Sequence, residues 1–429
     1  MTIKELIRVS LSNRSVFSII SRGKTTIRKR NSGVNEITLS QRVQRVKPSP
    51  TLAVSARAAE LRAAGNDIIG LGAGEPDFDT PEHIKQAAIE AIRQGATRYT
   101  AVDGTAELKS AIINKFQRDN GLSYQADQIL VSCGGKQSFY NLAQALLNPG
   151  DEVIIPAPYW VSYPDMVRLA DGEPVIIRAG LDQRFKITPE QLDAAITPKT
   201  RLFVLNSPSN PTGVAYNREE LGQLAEVLLR HPHVLIATDD MYEHILWIEE
   251  PFVNIVNVCK DLYPRTIVLN GVSKAYAMTG WRIGYAGGPK PLIQAMKKVQ
   301  SQSTSNPAAP SQAAAQEALD GDQSCIEPML KAFRERHDYV LQTLNTFPDV
   351  RCTAADGTFY SFPDFGRVID RLDGINDDVE LAEFFLQEAS VALVPGSAFG
   401  APGYVRISFA TSMTILEDAL GRLKKAISR

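Results

Sequence analysis

Six side chains with chemical uses stand just beyond short apolar runs of this chain. Trp160 follows Glu152–Pro156, Asn210 follows Arg201–Leu205, Asp239 and Tyr242 follow His233–Thr238, and Ser273 and Lys274 follow Thr266–Asn270. A lysine amine can hold a carbonyl carbon and carry a proton. A carboxylate sets the charge of a base beside it. An indole offers a flat face, and amide, phenol and hydroxyl groups offer hydrogen bonds around it. Each has a plain reading alone: Asn210-Pro211-Thr212-Gly213 is turn chemistry, an acid after a strand is often a helix cap, and a lysine before a helix is usually solvated. The signal is their recurrence in the same place after successive runs.

The elements that must position them read as alternating strands and helices. The four runs above, with Ile129–Ser132 and Arg282–Ala286, predict strands. Helical patterns over Glu107–Asn120, Lys136–Leu147 and Arg218–Arg230 lie between them. This alternation predicts an α/β domain with a mostly parallel sheet. Ligands of such sheets bind beyond the carboxyl ends of the strands, where the six residues converge. Gly134-Gly135-Lys136-Gln137 opens a predicted helix after the Ile129–Ser132 run, a place where backbone N–H groups favour an anion. Cys133, between strand and loop, adds only a weak S–H donor. Gly72-Ala73-Gly74 imitates a dinucleotide fingerprint, but Pro76 and Pro81 spoil the helix that such a site needs.

A length of 429 residues implies two domains, or one large domain with a smaller lobe. A net charge of −2 gives no global field for nucleic acid or an anionic membrane. No window approaches the roughly 18 apolar residues of a membrane helix. Cys133, Cys259, Cys325 and Cys352 form no CxxC pair, so a reducing compartment is expected, with neither disulfide framework nor zinc. His231 and His233 have no supporting cluster, and no metal is expected. The first 36 residues carry eight Lys or Arg against Glu5 and Glu36. They read as a disordered arm, a mis-assigned start or a transit peptide. The compartment expected is therefore the cytoplasm, or an organelle if that last reading holds.

The stretch Gly271-Val272-Ser273-Lys274-Ala275-Tyr276-Ala277-Met278-Thr279-Gly280-Trp281-Arg282-Ile283-Gly284 resembles the pyridoxal-phosphate lysine signature of class I and II aminotransferases. From about Leu39 onward the chain is similar to the bacterial aspartate (aspartate/prephenate) branch of that family, in fold type I. The resemblance implies a large cofactor domain over residues 83–330 and a smaller α/β domain built from 37–82 and 331–429. It implies pyridoxal 5'-phosphate, held by Lys274 as a Schiff base, with Asp239 at the pyridine nitrogen, Asn210 and Tyr242 at the ring hydroxyl and Trp160 on the ring face. Gly135, Lys136, Gln137, Ser273 and Arg282 would cradle the phosphate, joined by Tyr99 of a second subunit, so a homodimer is implied. Arg406 and the Gly74 backbone would take the substrate α-carboxylate, and Trp160 and Asn210 also border the substrate. Lys136 would meet a side-chain carboxylate.

The activity implied is amino transfer from aspartate or glutamate to a 2-oxo acid such as 2-oxoglutarate. Lys47 matches a lysine associated with prephenate as a further acceptor. Two departures stand out: Pro50, where a small residue is common, and Asp240, where Glu is usual. A C–S lyase, a racemase-like enzyme or an aminotransferase for another amino acid on the same fold remains an alternative. A cofactor-binding transcription regulator needs a DNA-binding module larger than the 36 residues available.

Overall fold

The structure, a computed structural model, describes residues 37–428. The basic segment 1–36 lies outside the described residues, and with it every expectation placed there. From Gln41 onward the chain forms one compact unit.

Local chemistry places the helix ends. Thr105 accepts a hydrogen bond from the Leu108 N–H and caps helix Ala106–Asn120, which ends at Gly121 with φ 62°. Asn217 and Glu220 cap helix Arg218–Arg230 reciprocally. The strands are β1 (Ile69–Gly70), β2 (Ile129–Ser132), β3 (Glu152–Ala157), β4 (Glu173–Arg178), β5 (Thr200–Asn206) and β6 (Leu235–Asp239). There follow β7 (Thr266–Gly271), β8 (Gly284–Gly287), β9 (Tyr360–Ser361), β10 (Val391–Ala392), β11 (Val394–Pro395) and β12 (Val405–Ser408).

Seven strands make the central sheet, in the order β2-β8-β7-β6-β5-β3-β4. The pairs from β7 across to β4 are parallel, and β8 runs antiparallel to both neighbours, β2 and β7. The sheet is thus mostly parallel, as expected. Its strands are apolar on both faces because helices cover both. Ile154, Phe203 and Leu205 face one core with Ile112, Phe116 and Leu224. Their neighbours Val153, Ile155, Leu202 and Val204 face the other, with Phe139, Leu142 and Val167. Truncating one of these large side chains, as in Phe203→Ala, would cost about 3–5 kcal/mol.

Two strands start later than the sequence reading has them, and one strand was not expected. The expected Arg282–Ala286 strand begins only at Gly284, because Arg282 takes a left-handed conformation, φ 57°. The expected His233–Thr238 strand begins at Leu235, after the turn at Pro232. It extends to Asp239, which pairs in register with Leu269. Strand β4 was not expected: Pro174 interrupts its pattern, and the edge of a sheet is where a strand tolerates proline.

A separate apolar cluster draws mainly on the C-terminal region, including Phe333, Val340, Phe359, Phe365, Phe385 and Leu420, and reaches back to Leu71. The three-stranded sheet β11-β12-β9 lies in this region.

Candidate active site

The antiparallel pairing of β7 with β8 sets Gly271 opposite Gly284, so their connection leaves and re-enters the sheet at one place. Ser273 and Lys274 lie on its outgoing limb, and Arg282 on its return. Lys274 Nζ donates to the Gly74 carbonyl at 2.5 Å and sits 5.9 and 5.8 Å from the ring centroids of Tyr242 and Phe359. Burial, and then the Arg406 guanidinium, push the Lys274 ammonium down to about 8. A large fraction of neutral amine is therefore present at mildly alkaline pH.

Asp239 ends β6. Its Oδ2 accepts from the Tyr163 hydroxyl at 2.5 Å and its Oδ1 from the Met241 N–H at 3.3 Å. Burial pushes the Asp239 carboxyl up, and the Tyr163 hydrogen bond pulls against it. Asn206, at the end of β5, joins the neighbouring loops: Nδ2 donates to the Asp239 carbonyl and Oδ1 accepts from the Asn210 N–H, each at 2.9 Å. The hydroxyls of Tyr242 and Tyr360 are 3.1 Å apart.

Arg406, on β12, is 2 % exposed. It donates to Asn210 Oδ1 at 3.0 Å and to the Gly72 carbonyl at 2.8 Å. Its guanidinium carbon lies 4.4 Å from the Tyr360 ring centroid and 4.9 Å from that of Phe399. Its buried Nε has no hydrogen-bond partner, and no carboxylate pairs with it among the described residues. Burial lowers its proton affinity. A buried guanidinium without an anion is costly, and a planar carboxylate is the group that its fork matches.

The opposite wall is built for a compact anion. Helix Gly135–Leu146 starts with no side chain capping its first turn; the Gln137 and Ser138 N–H groups donate to the Gly134 carbonyl, which leaves those of Gly135 and Lys136 as the donors an anion could take. Arg282 donates to the Thr279 and Cys133 carbonyls at 2.8 and 3.3 Å. Two glycines permit this approach: a Cβ on Gly134, φ 89°, would lie 2.3 Å from Arg282 Nη2, and one on Gly284 2.3 Å from the Gly135 nitrogen. The Lys136 ammonium sits 5.3 Å from the Trp160 ring centroid, and burial, then Arg282, push its proton affinity down.

One cavity of about 390 Å³ is lined by Gly74, Gly135, Lys136, Trp160, Asn210, Asp239, Tyr242, Ser273, Lys274, Arg282 and Arg406, all expected at a site from the sequence. Three expected residues do not line it. Tyr99 is 91 % exposed, beside a separate surface hollow with Asn306 and Ala308. Gln137 turns its side chain to the Cys133 N–H and the Thr304 hydroxyl. Lys47 is exposed, while Thr51 and Leu52, just after it, reach the wall.

The sequence reading missed several residues. Tyr163 lies behind Asp239; Tyr360, Asn206, Glu75 and Thr279 line the cavity. Trp160 and Tyr163 are joined by a turn, the Tyr163 N–H donating to the Trp160 carbonyl at 3.1 Å, and helical spacing was no guide because the helix begins only at Tyr163. Also unforeseen is a buried layer near the strand ends, where Glu243 takes hydrogen bonds from Asn120 at 2.6 Å and Asn270 at 2.7 Å and pairs with buried Lys115. Asp119, Glu243 and His244 come together there as a group with metal-ligand atoms within 4.8 Å, but the Lys115 ammonium already neutralises Glu243.

The residues present fit pyridoxal phosphate. A lysine amine of lowered proton affinity faces a buried acid lacking a full cation partner, an uncapped helix N-terminus lies beside Arg282, and a guanidinium without an anion closes the cavity.

Comparison with known proteins agrees with this geometry. Residues 66–423 match the family model described as aminotransferase class I and II. An aspartate/prephenate aminotransferase of Nitrosomonas europaea is 60% identical over 395 residues, 91% of this chain and 100% of that one. Another of that name, from Cereibacter sphaeroides, is 55% identical, over 90% of this chain and 98% of that one. Among solved structures, the aspartate aminotransferase of Rhizobium meliloti superposes with a TM-score of 0.89 at 49% identity, covering 92% of this chain and all of that one. The Thermus thermophilus aspartate aminotransferase with maleate gives 0.86 at 44% identity, covering 91% of this chain and 100% of that one.

Proposed function

Because the chain belongs to the class I and II aminotransferases, we propose that it transfers the amino group of aspartate or glutamate to a 2-oxo acid such as 2-oxoglutarate. The observation that carries the proposal is Arg406: a buried guanidinium with no anion faces the cavity that also holds Lys274. Pyridoxal phosphate bound there would supply an aldehyde for amino nitrogen and a ring that accepts electrons.

The chain's own residues do the rest. Lys274 would hold the cofactor through its amine, and the same Nζ would carry the proton at the donor Cα. Asp239 keeps the ring nitrogen protonated, because an anion in a buried setting favours a neighbouring cation. Asn210 and Tyr242 hydrogen-bond the ring hydroxyl, and Trp160 covers the ring face. Gly135, Lys136 and Gln137 would form the phosphate loop, with the Ser273 hydroxyl and Arg282 completing the cradle. Arg406 and the Gly74 backbone fix the α-carboxylate, between Trp160 and Asn210. Lys136 also reaches for the side-chain carboxylate.

Lys47, placed just ahead of Thr51 and Leu52, supports prephenate as a second acceptor. The exposure of Tyr99 supports a homodimer in which it reaches the partner's phosphate site. Two apolar clusters that lie wholly within residues 83–330, and a third drawn mainly from 331–429, support the division into residues 83–330 and a lobe of 37–82 with 331–429. The described residues include no helix long and apolar enough to cross a membrane. The likeness to bacterial enzymes supports a cytoplasmic place for this one.

The test is oxaloacetate formation by the purified holoenzyme given aspartate and 2-oxoglutarate. If that pair stays inert while a thioether amino acid releases a thiol, the lyase reading takes its place.

A further inference from the structure

We propose that Tyr163 is a positioning residue of the reaction: its hydroxyl holds the Asp239 carboxylate, and its ring holds the Trp160 indole, in the orientations that the cofactor ring requires. The inference rests on the function proposed above and concerns a residue outside the cavity wall. Tyr163 opens helix Tyr163–Leu169 and is 1 % exposed. Its O–H reaches Asp239 Oδ2 at 2.5 Å. Its ring stands edge-on to Trp160, centroids 5.1 Å apart at 88°, and against Phe139 at 4.8 Å. One buried side chain therefore touches both groups assigned to the cofactor ring.

The chemistry gives the contact a direction. A buried carboxylate without donors would take up a proton and lose its hold on a cationic ring nitrogen. The Met241 N–H at 3.3 Å is long, so the Tyr163 hydroxyl is the strong local donor to this acid. The other charged or titratable groups acting there are Lys274, Tyr242 and Asp240. Asp240 is tied back by Asn254 Nδ2 at 2.6 Å and does not compete for the hydroxyl. The phenol itself stays protonated, because burial and the adjacent carboxylate both push it well above its ordinary range. It is thus a permanent donor across the working pH range, and it favours the ionised form of Asp239 throughout.

Tyr163→Phe removes the oxygen and keeps the ring. With a weaker anion at Asp239, the cofactor ring carries less positive charge, and the nitrogen joining it to Lys274 binds its proton more tightly. The absorbance titration of the bound cofactor should therefore shift its midpoint to higher pH by about half a unit or more. Turnover should fall about tenfold or more, with the aspartate KM changed far less. Phe139→Leu serves as the control, since it disturbs the packing around Tyr163 without touching the hydroxyl. It should leave the midpoint in place even if thermal stability drops. An unshifted midpoint in Tyr163→Phe, or an equal shift in Phe139→Leu, overturns the proposal. Borohydride reduction and peptide mapping separate this outcome from failure of the underlying function: Lys274 carries the label if that function holds, whatever Tyr163 does.

Discussion

At the scale of single residues, charge and burial determine the chemistry. Lys274 is pushed down to about 8 by burial and by Arg406. Its neutral form captures an aldehyde, and that form grows as pH rises through this value. The rate at which the apoenzyme takes up pyridoxal phosphate should climb from pH 6.5 and level off above about 8.5. Lys274→Ala should show no such uptake of the aldehyde. A flat profile in the native chain would contradict the lowered proton affinity. Arg406 and Lys136 should divide substrate recognition. Arg406→Ala should impair aspartate and alanine alike, by about 2–5 kcal/mol in kcat/KM, because both carry an α-carboxylate. Lys136→Ser should weaken aspartate by about 1–3 kcal/mol and alanine much less. Equal losses for both donors would assign Lys136 to the phosphate alone. Lys274 and Asp239 stood out in the sequence because polar side chains recur in the same place after successive apolar runs, whereas Arg282, at the head of an expected strand, stood out only through the resemblance of its stretch to the family's motif. Tyr163 and Tyr360 did not. An aromatic residue on a helix beside Pro164, or within the run Phe359–Phe362, looks like core, and only the fold reveals what its hydroxyl meets.

At the scale of elements, position comes from strand ends and close backbone approach. The Gly284 prediction belongs here. Gly284→Ala would drive a Cβ to 2.3 Å from the Gly135 nitrogen, a contact between two backbones with no flexible side chain to yield. Cofactor affinity should fall by at least tenfold, together with a lower Tm, and equilibrium dialysis against pyridoxal phosphate would measure it. Unchanged affinity would mean that the phosphate loop does not depend on this packing. The alternation of strands and helices was readable because parallel strands buried on both faces form unbroken apolar runs. Strand β4 escaped because an edge position tolerates Pro174. The pairing of Lys115 with Glu243 escaped because nothing local links residues so far apart in the chain.

At the scale of the whole molecule, the cavity is walled by segments from across the chain, from Thr51 to Arg406. Tyr99 is the outlier, exposed and away from that wall. If a second copy completes the site, active material should sediment as a dimer, and Tyr99→Ala should weaken cofactor retention with little change in monomer stability. A monomer with full turnover would remove Tyr99 from the site.

The hairpin of β7 and β8 has one more consequence, for how this chain can change over generations. The amine that would hold the cofactor at one end and the guanidinium that would hold it at the other are borne by a single loop, whose two stems are locked together at Gly271 and Gly284. Most surface loops absorb insertions and deletions with little harm. Here one added or deleted residue between Lys274 and Arg282 would alter the spacing of both anchors at once, and no compensating shift elsewhere could restore both. Among homologous chains this connection should therefore keep its length, a constraint set by connectivity and not by any one side chain.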